Sequence, residues 1–325
     1  MNDMKSGLTV VVPLFNEADV LPELYRRLST VLQSLPPELQ IDSYEVLFVD
    51  DGSNDQSAAI IETFTQDDPH VGLLRFSRNF GKEQGISAGL HYAQGDAVVV
   101  IDADLQDPPE LIPEMISAWR SGADVVNMRR LSRDGETYVK RQTAHMFYRV
   151  MGRLSEVPIP ADVGDFRLLS RRAVEALKQL PERHRFMKGL FSWVGFTQVT
   201  LDYHREARAA GQSKWPYWRL WNFALEGITG FSTLPLKMAS YIGILSAVFA
   251  FFAATYFLFK TLFFGEPVTG FPTLIITLLF MGGLQLLALG IMGEYLARLF
   301  MESKQRPLYL IADYKPADQC RRDGG

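Results

Sequence analysis

Residues 102–107 read Asp-Ala-Asp-Leu-Gln-Asp and directly follow an apolar run at residues 97–101. Two carboxylates one residue apart, at the point where a buried strand reaches the surface, are good ligands for a hard divalent cation. Such a cation can in turn hold a diphosphate group. The pattern therefore assigns Asp102, Asp104 and Gln106, which adds a further oxygen, to metal binding and to chemistry on a phosphate-linked donor.

Asp107, the last residue of this segment, is predicted to have a different role. In Asp-Pro-Pro-Glu, residues 107–110, an acid is followed by proline and then by a second acid three positions on. This order is typical of the first turn of a helix. Asp107 is therefore expected to cap a helix rather than to bind the cation.

The surrounding segments alternate short apolar runs with helical patterns, as in a parallel sheet with crossover helices. The expected strands are 8–12, 45–49, 71–76, 97–101 and 124–128, and the expected helices are 20–35, 55–65, 83–93 and 109–121. Between about residues 135 and 235 the pattern becomes helical and aromatic. The sequence thus predicts an α/β domain with a mostly parallel, Rossmann-like sheet.

Polar clusters follow the first four expected strands, and parallel strands bring their carboxyl ends to one edge of a sheet. The clusters are residues 13–17, 50–53, 77–81 and 102–106. Asp50 and Asp51 are suited to accept hydrogen bonds from a base or a ribose. Ser53 and Gln56 also form a capping-box pattern, which is the competing role. One capping box does not require two preceding acids, so the binding role is favoured.

Basic residues are the next candidates, because no glycine-rich dinucleotide-binding or P-loop pattern occurs in the chain. A bound phosphate would then be neutralised by metal and by basic side chains. Arg129 and Arg130 follow the fifth expected strand. Arg183, Arg185 and Lys188 lie together in the sequence Arg-His-Arg-Phe-Met-Lys.

Two segments, residues 241–259 and 267–293, contain no charged residue and are long enough to cross a membrane. Lys and Arg residues flank both segments on the side away from their connecting loop, which predicts that both termini face the cytoplasm. The polar start of the chain shows no secretory signal. Residues 211–235 interleave Trp and Tyr with Lys and Arg, which predicts an interfacial helix.

These features divide the chain of 325 residues into four expected parts: a catalytic domain at 1–210, the interfacial region at 211–235, two membrane spans within 236–300 and a cytoplasmic tail at 301–325. The net charge of −4 argues against a nucleic-acid groove. The single cysteine, Cys320, suits a reducing compartment. The five histidines show no metal-ligand spacing.

Six motifs occur in order along the chain: Val-Val-Val-Pro-Leu-Phe-Asn-Glu at 10–17, Val-Asp-Asp-Gly-Ser-Asn-Asp at 49–55, Arg-Asn-Phe-Gly-Lys-Glu at 78–83, Asp-Ala-Asp-Leu-Gln-Asp-Pro-Pro at 102–109, Gly-Asp-Phe-Arg-Leu at 164–168 and Gly-Gln-Ser-Lys-Trp at 211–215. Together they resemble the family 2 glycosyltransferases that act on polyprenyl phosphates. Among these, the chain is most similar to the bactoprenol glucosyltransferases and more distantly to dolichol-phosphate mannose synthases. The resemblance extends over nearly the whole chain.

This resemblance implies a GT-A fold, a nucleotide-sugar donor, usually a UDP-sugar, and Mg²⁺ or Mn²⁺ as cofactor. It implies that Asp165 is the catalytic aspartate. The residues expected at the nucleotide sugar are Pro13, Asn16, Glu17, Asp50, Asp51, Lys82, Asp102, Arg129 and Arg130. The residues expected at the acceptor or its phosphate are Arg183, Arg185, Lys188, Ser213 and Lys214.

The expected reaction is inverting transfer of a sugar, glucose from UDP-glucose in the first instance, to undecaprenyl phosphate at the cytoplasmic face of the inner membrane. A phosphate monoester has a second pKa of about 6, so the acceptor needs little help from a base. Asp165 is therefore expected to position the donor sugar or a basic partner. From the residues alone, Asp165 could equally pair with Arg167 at the start of a helix.

Other functions stay open from the sequence. The same chemistry could use a mannose, N-acetylhexosamine or aminoarabinose donor. A processive polysaccharide synthase would be expected to carry an Arg-Trp pair near the membrane, which this chain lacks. A silent scaffold or part of a lipid flippase would not need intact Asp102, Asp104 and Asp165. Glycines in the second span would allow a homo-oligomer; they are Gly282, Gly283, Gly290 and Gly293.

Overall fold

The structure, a computed structural model, describes residues 6–131, 163–180, 182–183, 185, 187–204, 234–264 and 270–318. Ser213, Lys214 and almost all of the expected interfacial helix lie outside the described residues, as does Cys320.

Eight strands form one mixed sheet with the spatial order β7-β5-β6-β4-β1-β2-β3-β8. The strands are β1 (Ser6–Leu14), β2 (Ile41–Asp50), β3 (Val71–Phe76), β4 (Ala97–Val100), β5 (Val125–Arg130), β6 (Val163–Ser170), β7 (Gln198–Tyr203) and β8 (Ile311–Lys315). Strands β3, β2, β1 and β4 are parallel, which confirms the expected centre of the sheet. The carboxyl ends of these four strands therefore share one edge.

Helices connect the strands and cover both faces of the sheet. They are α1 (Leu21–Gln33), α2 (Ser57–Asp67), α3 (Lys82–Tyr92), α4 (Ile112–Arg120), α5 (Arg171–Lys178) and α6 (Met187–Trp193), followed by the long helices α7 (Leu234–Phe264) and α8 (Phe271–Ser303). The four helices expected before residue 130 all occur within three residues of their predicted limits. The mixed α/β fold is thus confirmed.

Strand β1 lies at the centre of the core and is buried on both faces. Val10 packs with α1 in one apolar cluster, whereas Val11 packs with α3 in the other. Successive strand side chains point to opposite faces, so a continuous run of valines fills both layers. Helix α3 approaches β1 very closely, because a Cβ on Gly89 would lie only 2.1 Å from a methyl carbon of Val11. This contact sets the position of α3, whose first turn enters the site.

Strand β6 is the main departure from the expected sheet. It pairs antiparallel with both β4 and β5, so β5 is not next to β4. The prediction of a helical region between residues 135 and 235 is wrong for β6 and β7. In β6, Phe166 and Leu168 pack into one apolar cluster and Leu169 into the other, which is a strand alternation. The antiparallel strand places Asp165 beside the end of β4.

The segment expected to be a cytoplasmic tail adds the edge strand β8, antiparallel to β3. Its position is supported by aromatic contacts, because the ring of Tyr309 stacks on Phe76 at a centroid distance of 5.0 Å. Tyr314 lies against Tyr92 of α3 at 4.7 Å. The chain therefore returns from α8 to the sheet.

Helices α7 and α8 are long and apolar enough to cross a membrane. Their most apolar windows are Leu236–Ala253 and Thr277–Ser303, in which no residue is buried within the protein. At 1.5 Å per residue the 33 residues of α8 extend about 50 Å, longer than a hydrocarbon layer of about 30 Å. Near the end of α8, Glu294 and Arg298 form an i,i+4 ion pair at 3.8 Å.

Candidate active site

Lys82 lies at the centre of the site and connects two acids. Its ammonium nitrogen Nζ lies 2.6 Å from Oδ1 of Asp102 and 2.5 Å from Oδ2 of Asp165. Asp102 follows β4, Asp165 is on the neighbouring strand β6, and Lys82 is the first residue of α3. Both carboxylates are mostly buried, whereas the lysine side chain is 45% exposed. A half-exposed cation therefore joins the acid expected at the metal to the acid expected in catalysis.

The loop before Lys82 is held by Asp51. Its carboxylate accepts hydrogen bonds from the backbone N–H groups of Phe80, at 2.6 Å, and Gly81, at 2.8 Å. Gly52 allows the close approach of this loop, since its φ is +69° and a Cβ there would lie 2.5 Å from the carbonyl carbon of Arg78. Burial raises the pKa of Asp51, while the two N–H groups oppose that shift. Asp51 thus supports the loop that carries Lys82.

Asp50 and Asn16 connect the ends of β2 and β1. Oδ1 of the buried Asp50 accepts a hydrogen bond from the N–H of Ser53 at 2.9 Å. The hydroxyl oxygen of Ser53 accepts from the N–H of Asn16 at 2.9 Å, and Oδ1 of Asn16 accepts from the N–H of Asn54 at 2.8 Å. The competing role of Ser53 in a capping box is not observed, because helix α2 has Gln56 at its N-cap position and no side-chain cap. Asn16 remains exposed at the mouth of the site.

Pro13 and Glu17 lie at the same edge. Pro13 is buried against α3, where a Cβ on Gly85 would lie 3.3 Å from the Pro13 Cβ. The N–H of Glu17 donates to the hydroxyl of Ser57 at the start of α2, at 3.0 Å. Pro13 thus packs the end of β1 against α3, and Glu17 fixes the loop after β1 to the start of α2.

The segment after β4 forms a tight turn with Asp102 and Asp104 on it. Leu105 has a φ of +58°, and Oδ1 of Asp104 accepts a hydrogen bond from the N–H of Gln106 at 3.2 Å. In the part of the chain that the structure describes, no three His, Cys, Asp or Glu side chains form a metal-binding cluster alone. Mg²⁺ is commonly held by one or two carboxylates together with substrate phosphates, and the Asp102–Asp104 pair suits that mode. The ammonium of Lys82 shows that Asp102 already attracts a cation.

Asp165 is kept ionised by its surroundings. Burial alone would raise its pKa, but Lys82 first, and then Lys188 and Arg167, hold the pKa of Asp165 well below its usual range. Desolvation at its ammonium disfavours the charged form of Lys82, yet Asp102 and Asp165 raise its pKa above the ordinary lysine value. Oδ1 of Asp165 has no hydrogen-bond partner among the described residues. This oxygen can therefore accept a hydrogen bond from a substrate.

Glu83 is a charged neighbour to which the sequence assigned no role. Burial, and next the negative charge of Asp165, raise its pKa to about 7. Its Oε2 accepts a hydrogen bond from the N–H of Met187, the first residue of α6, at 3.1 Å. The only signal in the sequence was its place beside Lys82 in the motif at 78–83.

Two further cations face Asp165. Arg167 is buried, donates to the carbonyl of Gly164 at 2.6 Å and lies over the ring of Phe191 at 3.8 Å. Burial lowers its pKa to about 10. Lys188 also has a lowered pKa because of burial, although Asp165 opposes that shift. The alternative of an Asp165–Arg167 pair at a helix start is wrong, because both residues lie within strand β6 and Asp165 hydrogen-bonds Lys82.

Arg130 and Arg129 occupy different surroundings. Arg130 donates to the hydroxyl of Tyr203 at 3.3 Å, and its guanidinium packs against Gly164, next to Asp165. Arg129 instead forms two hydrogen bonds with the exposed carboxylate of Asp202, at 2.6 and 2.8 Å. Of the two arginines, Arg130 is therefore the one beside the site.

Asp107 is a buried acceptor rather than a helix cap. Tyr203 donates its hydroxyl proton to Oδ1 of Asp107 at 2.5 Å, and Arg130 approaches the same oxygen to 4.0 Å. The expected capping role is wrong, because the next turn is a 3₁₀ helix, Pro109–Leu111, preceded by Pro108 without a side-chain cap. Asp107 thus anchors the segment after β4 to β7.

Arg183 and Arg185 each contact a backbone carbonyl, Arg183 just after the end of α8 and Arg185 just after the end of α5. Nε of Arg183 donates to the carbonyl of Arg306 at 2.8 Å. Arg185 donates to the carbonyl of Leu180 at 2.7 Å. Of the basic residues expected at the acceptor, Lys188 is the described one that faces Asp165.

The family model for glycosyl transferase family 2 matches residues 9–178. The chain is 46% identical over 308 residues to a bactoprenol glucosyl transferase of Shigella phage SfV, a match covering 95% of this chain and 99% of that protein. It is 50% identical over 310 residues to an uncharacterised glycosyltransferase of Synechocystis, covering 95% and 96%. The chain belongs to glycosyltransferase family 2.

Among solved structures, glucosyl-3-phosphoglycerate synthase from Mycobacterium tuberculosis is similar at 19% identity and a TM-score of 0.44. The match covers 69% of this chain and 78% of that one. That structure contains Mn²⁺, UDP-glucose and phosphoglyceric acid.

Proposed function

We propose that the protein transfers glucose from UDP-glucose to a polyprenyl phosphate, with inversion at the anomeric carbon. The observation that carries this proposal is the Lys82 bridge between Asp102 and Asp165 at the carboxyl edge of the sheet. It joins Asp102, one of the two carboxylates proposed to bind the cation, to an acid with an open acceptor oxygen. The bactoprenol glucosyl transferase of phage SfV, similar along almost its whole length, supports the choice of sugar and acceptor.

Asp102, Asp104 and Gln106 would hold Mg²⁺ or Mn²⁺ at the donor diphosphate. When bound, this ion supplies positive charge to the departing UDP. Asp102 would exchange the ammonium of Lys82, which is half-exposed and on a flexible stem, for a divalent cation when one binds. We propose that Lys82 then contacts the diphosphate. We expect Asn16, which is exposed beside the loop after β2, to contact the nucleotide.

In the transfer step an oxygen of the acceptor phosphate forms a bond to the anomeric carbon. The bond from that carbon to the β-phosphate oxygen of UDP breaks, and its electron pair leaves with UDP. Attack opposite the leaving group inverts the configuration. Lys188 and Arg130, which lie around Asp165, are proposed to take up charge on the phosphate groups.

Asp165 is proposed to orient the donor sugar rather than to remove a proton. Its pKa is held low by Lys82, Lys188 and Arg167, so it is a weak base at neutral pH. The acceptor phosphate, with a second pKa of about 6, is already largely ionised. The open Oδ1 of Asp165 is suited to accept a hydrogen bond from a sugar hydroxyl.

Helices α7 and α8 are proposed to cross the cytoplasmic membrane, with the catalytic domain and both termini in the cytoplasm. The charge pattern of the chain supports this orientation. Ser213 and Lys214 would then lie near the membrane surface, where an acceptor phosphate is presented.

In spheroplasts, a membrane-impermeant maleimide should label Cys320 only after permeabilisation. A matched variant, Cys320→Ser with Thr269→Cys, should be labelled in intact spheroplasts. Labelling of Cys320 in intact spheroplasts, or of the Thr269→Cys variant only after permeabilisation, would contradict the topology.

The decisive experiment is a panel of nucleotide sugars incubated with the purified protein, undecaprenyl phosphate and Mn²⁺, with chloroform-soluble product as the readout. Product from UDP-glucose is expected, together with release of UDP. Loss of this product when a chelator is added would support the requirement for a divalent cation. If only another nucleotide sugar gave product, the proposed mechanism would stand, but glucose as the transferred sugar would be contradicted. No product and no UDP release with any donor would contradict the proposal.

A further inference from the structure

Glu83 connects the first turn of α3 to the first turn of α6. Its Oε2 accepts a hydrogen bond from the N–H of Met187 at 3.1 Å. One turn later on α3, the hydroxyl of Ser87 lies 3.6 Å from the sulfur of Met187. Met187 is fully buried and begins α6, so these contacts fix where that helix starts.

Lys188, the next residue, is the charged group that α6 contributes to the site. It faces Asp165 and lies near three other cations, Lys82, Arg167 and Arg130. Lys188 lies among cations and has the carboxylates of Asp165 and Glu83 nearby, so its placement must be accurate, because a small displacement exchanges attraction for repulsion. The anchor at Met187 lies one residue away.

We propose that Glu83 is a positioning residue for sugar transfer, which holds the start of α6 so that the ammonium of Lys188 faces Asp165 and the phosphate groups of the substrates. This inference rests on the proposed function of the site. Glu83 acts through the backbone of Met187 and through Lys188, and it makes no bond to the reacting atoms. The sequence signal for it is its place next to Lys82.

The charged groups that face Glu83 come from each element packed around it: Lys82 from its own helix, Asp165 and Arg167 from β6, and Lys188 from α6. All three elements carry groups assigned to the reaction: Lys82, Asp165 and Lys188. A change at Glu83 is therefore transmitted to the site along a short path, through one hydrogen bond and one peptide unit.

The test compares two variants of the full-length protein. Glu83→Ala removes the acceptor for the Met187 N–H and should lower kcat/KM for UDP-glucose about tenfold, the effect of losing one well-placed hydrogen bond. Glu83→Gln retains a carbonyl oxygen at the same place and should recover most of that loss. Glu114→Gln, an exposed acid on α4, is the control and should behave as the wild type.

A double-mutant cycle tests whether the effect passes through Lys188. In a Lys188→Gln background, Glu83→Ala should cause no further loss. Full additivity of the two losses would overturn the inference, and so would equal losses in Glu83→Ala and Glu83→Gln.

Hydrogen exchange separates failure of this inference from failure of the proposed function. Glu83→Ala should speed exchange in the peptide that contains α6, whereas Glu83→Gln and Glu114→Gln should not. This readout needs no substrate. Unchanged exchange in Glu83→Ala would overturn the inference even if the protein transfers glucose, and a wild type without transferase activity would overturn the proposed function whatever the exchange shows.

Discussion

Buried acids at the two ends of the central sheet are held in different ways. At the amino end, Glu45 of β2 accepts hydrogen bonds from the hydroxyl of Thr9, at 2.5 Å, and the N–H of Gln94, at 2.9 Å. Thr9 in turn accepts from the N–H of Gly95 at 2.9 Å. These donors are neutral and belong to strands and to a fixed turn.

At the carboxyl end, Asp102 and Asp165 share the ammonium of Lys82 instead. That partner is half-exposed, carries charge and sits on a long side chain, and one oxygen of Asp165 is left without a hydrogen bond among the described residues. The difference teaches that a buried acid held by neutral hydroxyl and backbone donors stabilises the fold, whereas one held by a movable cation can exchange its partner for a ligand.

The largest expected effect is at Asp165. Asp165→Asn should lower transfer at least about a hundredfold, because it removes charge and an acceptor that the transition state requires. Steady-state assays from pH 6.5 to 8.5 would measure it. Under our interpretation, activity does not return at high pH. Recovery on raising the pH by about two units would instead support base catalysis.

Lys82→Met tests the movable cation directly. Transfer should fall about tenfold or more, because two buried carboxylates lose their shared counter-charge and the diphosphate loses a contact. Binding of Mn²⁺ without donor, followed by electron paramagnetic resonance, should become tighter because the ammonium no longer competes for Asp102. Weaker Mn²⁺ binding would show that Lys82 and the metal do not share this acid.

Glu83 makes stability depend on pH. Its pKa is raised to about 7 from an ordinary value near 4.5, so the folded state binds more protons between these values. Its contribution is therefore present below about pH 4.5 and is lost as the pH rises through about 7, up to about 3 kcal/mol in total. Thermal unfolding of Glu83→Gln should show a smaller fall in stability between pH 5 and 8 than the wild type. An identical fall in both proteins would contradict this.

Thr9→Val should give the smallest change and only in stability. It removes the hydroxyl between Glu45 and Gly95 and should cost about 1 to 2 kcal/mol of unfolding free energy. Activity per folded molecule should stay at the wild-type level. A loss of transfer activity with an unchanged Tm would contradict the purely structural role of the acid at the amino end of the sheet.

The parallel centre of the sheet was predictable because β1 to β4 are continuous apolar runs separated by helical periodicity. The edge that collects Asp50, Asp51 and Asp102 followed from that order. Strand β6 was not predictable in the same way, since its pairing with β4 and β5 is antiparallel and depends on contacts far along the chain. The edge strand β8 likewise depends on a partner more than two hundred residues earlier.

Within the site, sequence patterns identified the acids better than their partners. Asp102 and Asp165 were expected, but their joining through Lys82 depends on the tertiary fold. Asp107 matched a helix start so well that its actual partner, Tyr203, could not be inferred. The role of Glu83 depends on Met187, which is distant in sequence and contributes only a backbone N–H.

Strand β8 has a consequence for the order of synthesis. A ribosome makes the chain from its amino end, and domains generally fold as their residues emerge. Here the sheet that bears the site receives its edge strand only after both long apolar helices have been made. Until then β3 exposes an unpaired edge. Completion of the catalytic sheet is thereby deferred until the two candidate membrane helices have left the ribosome.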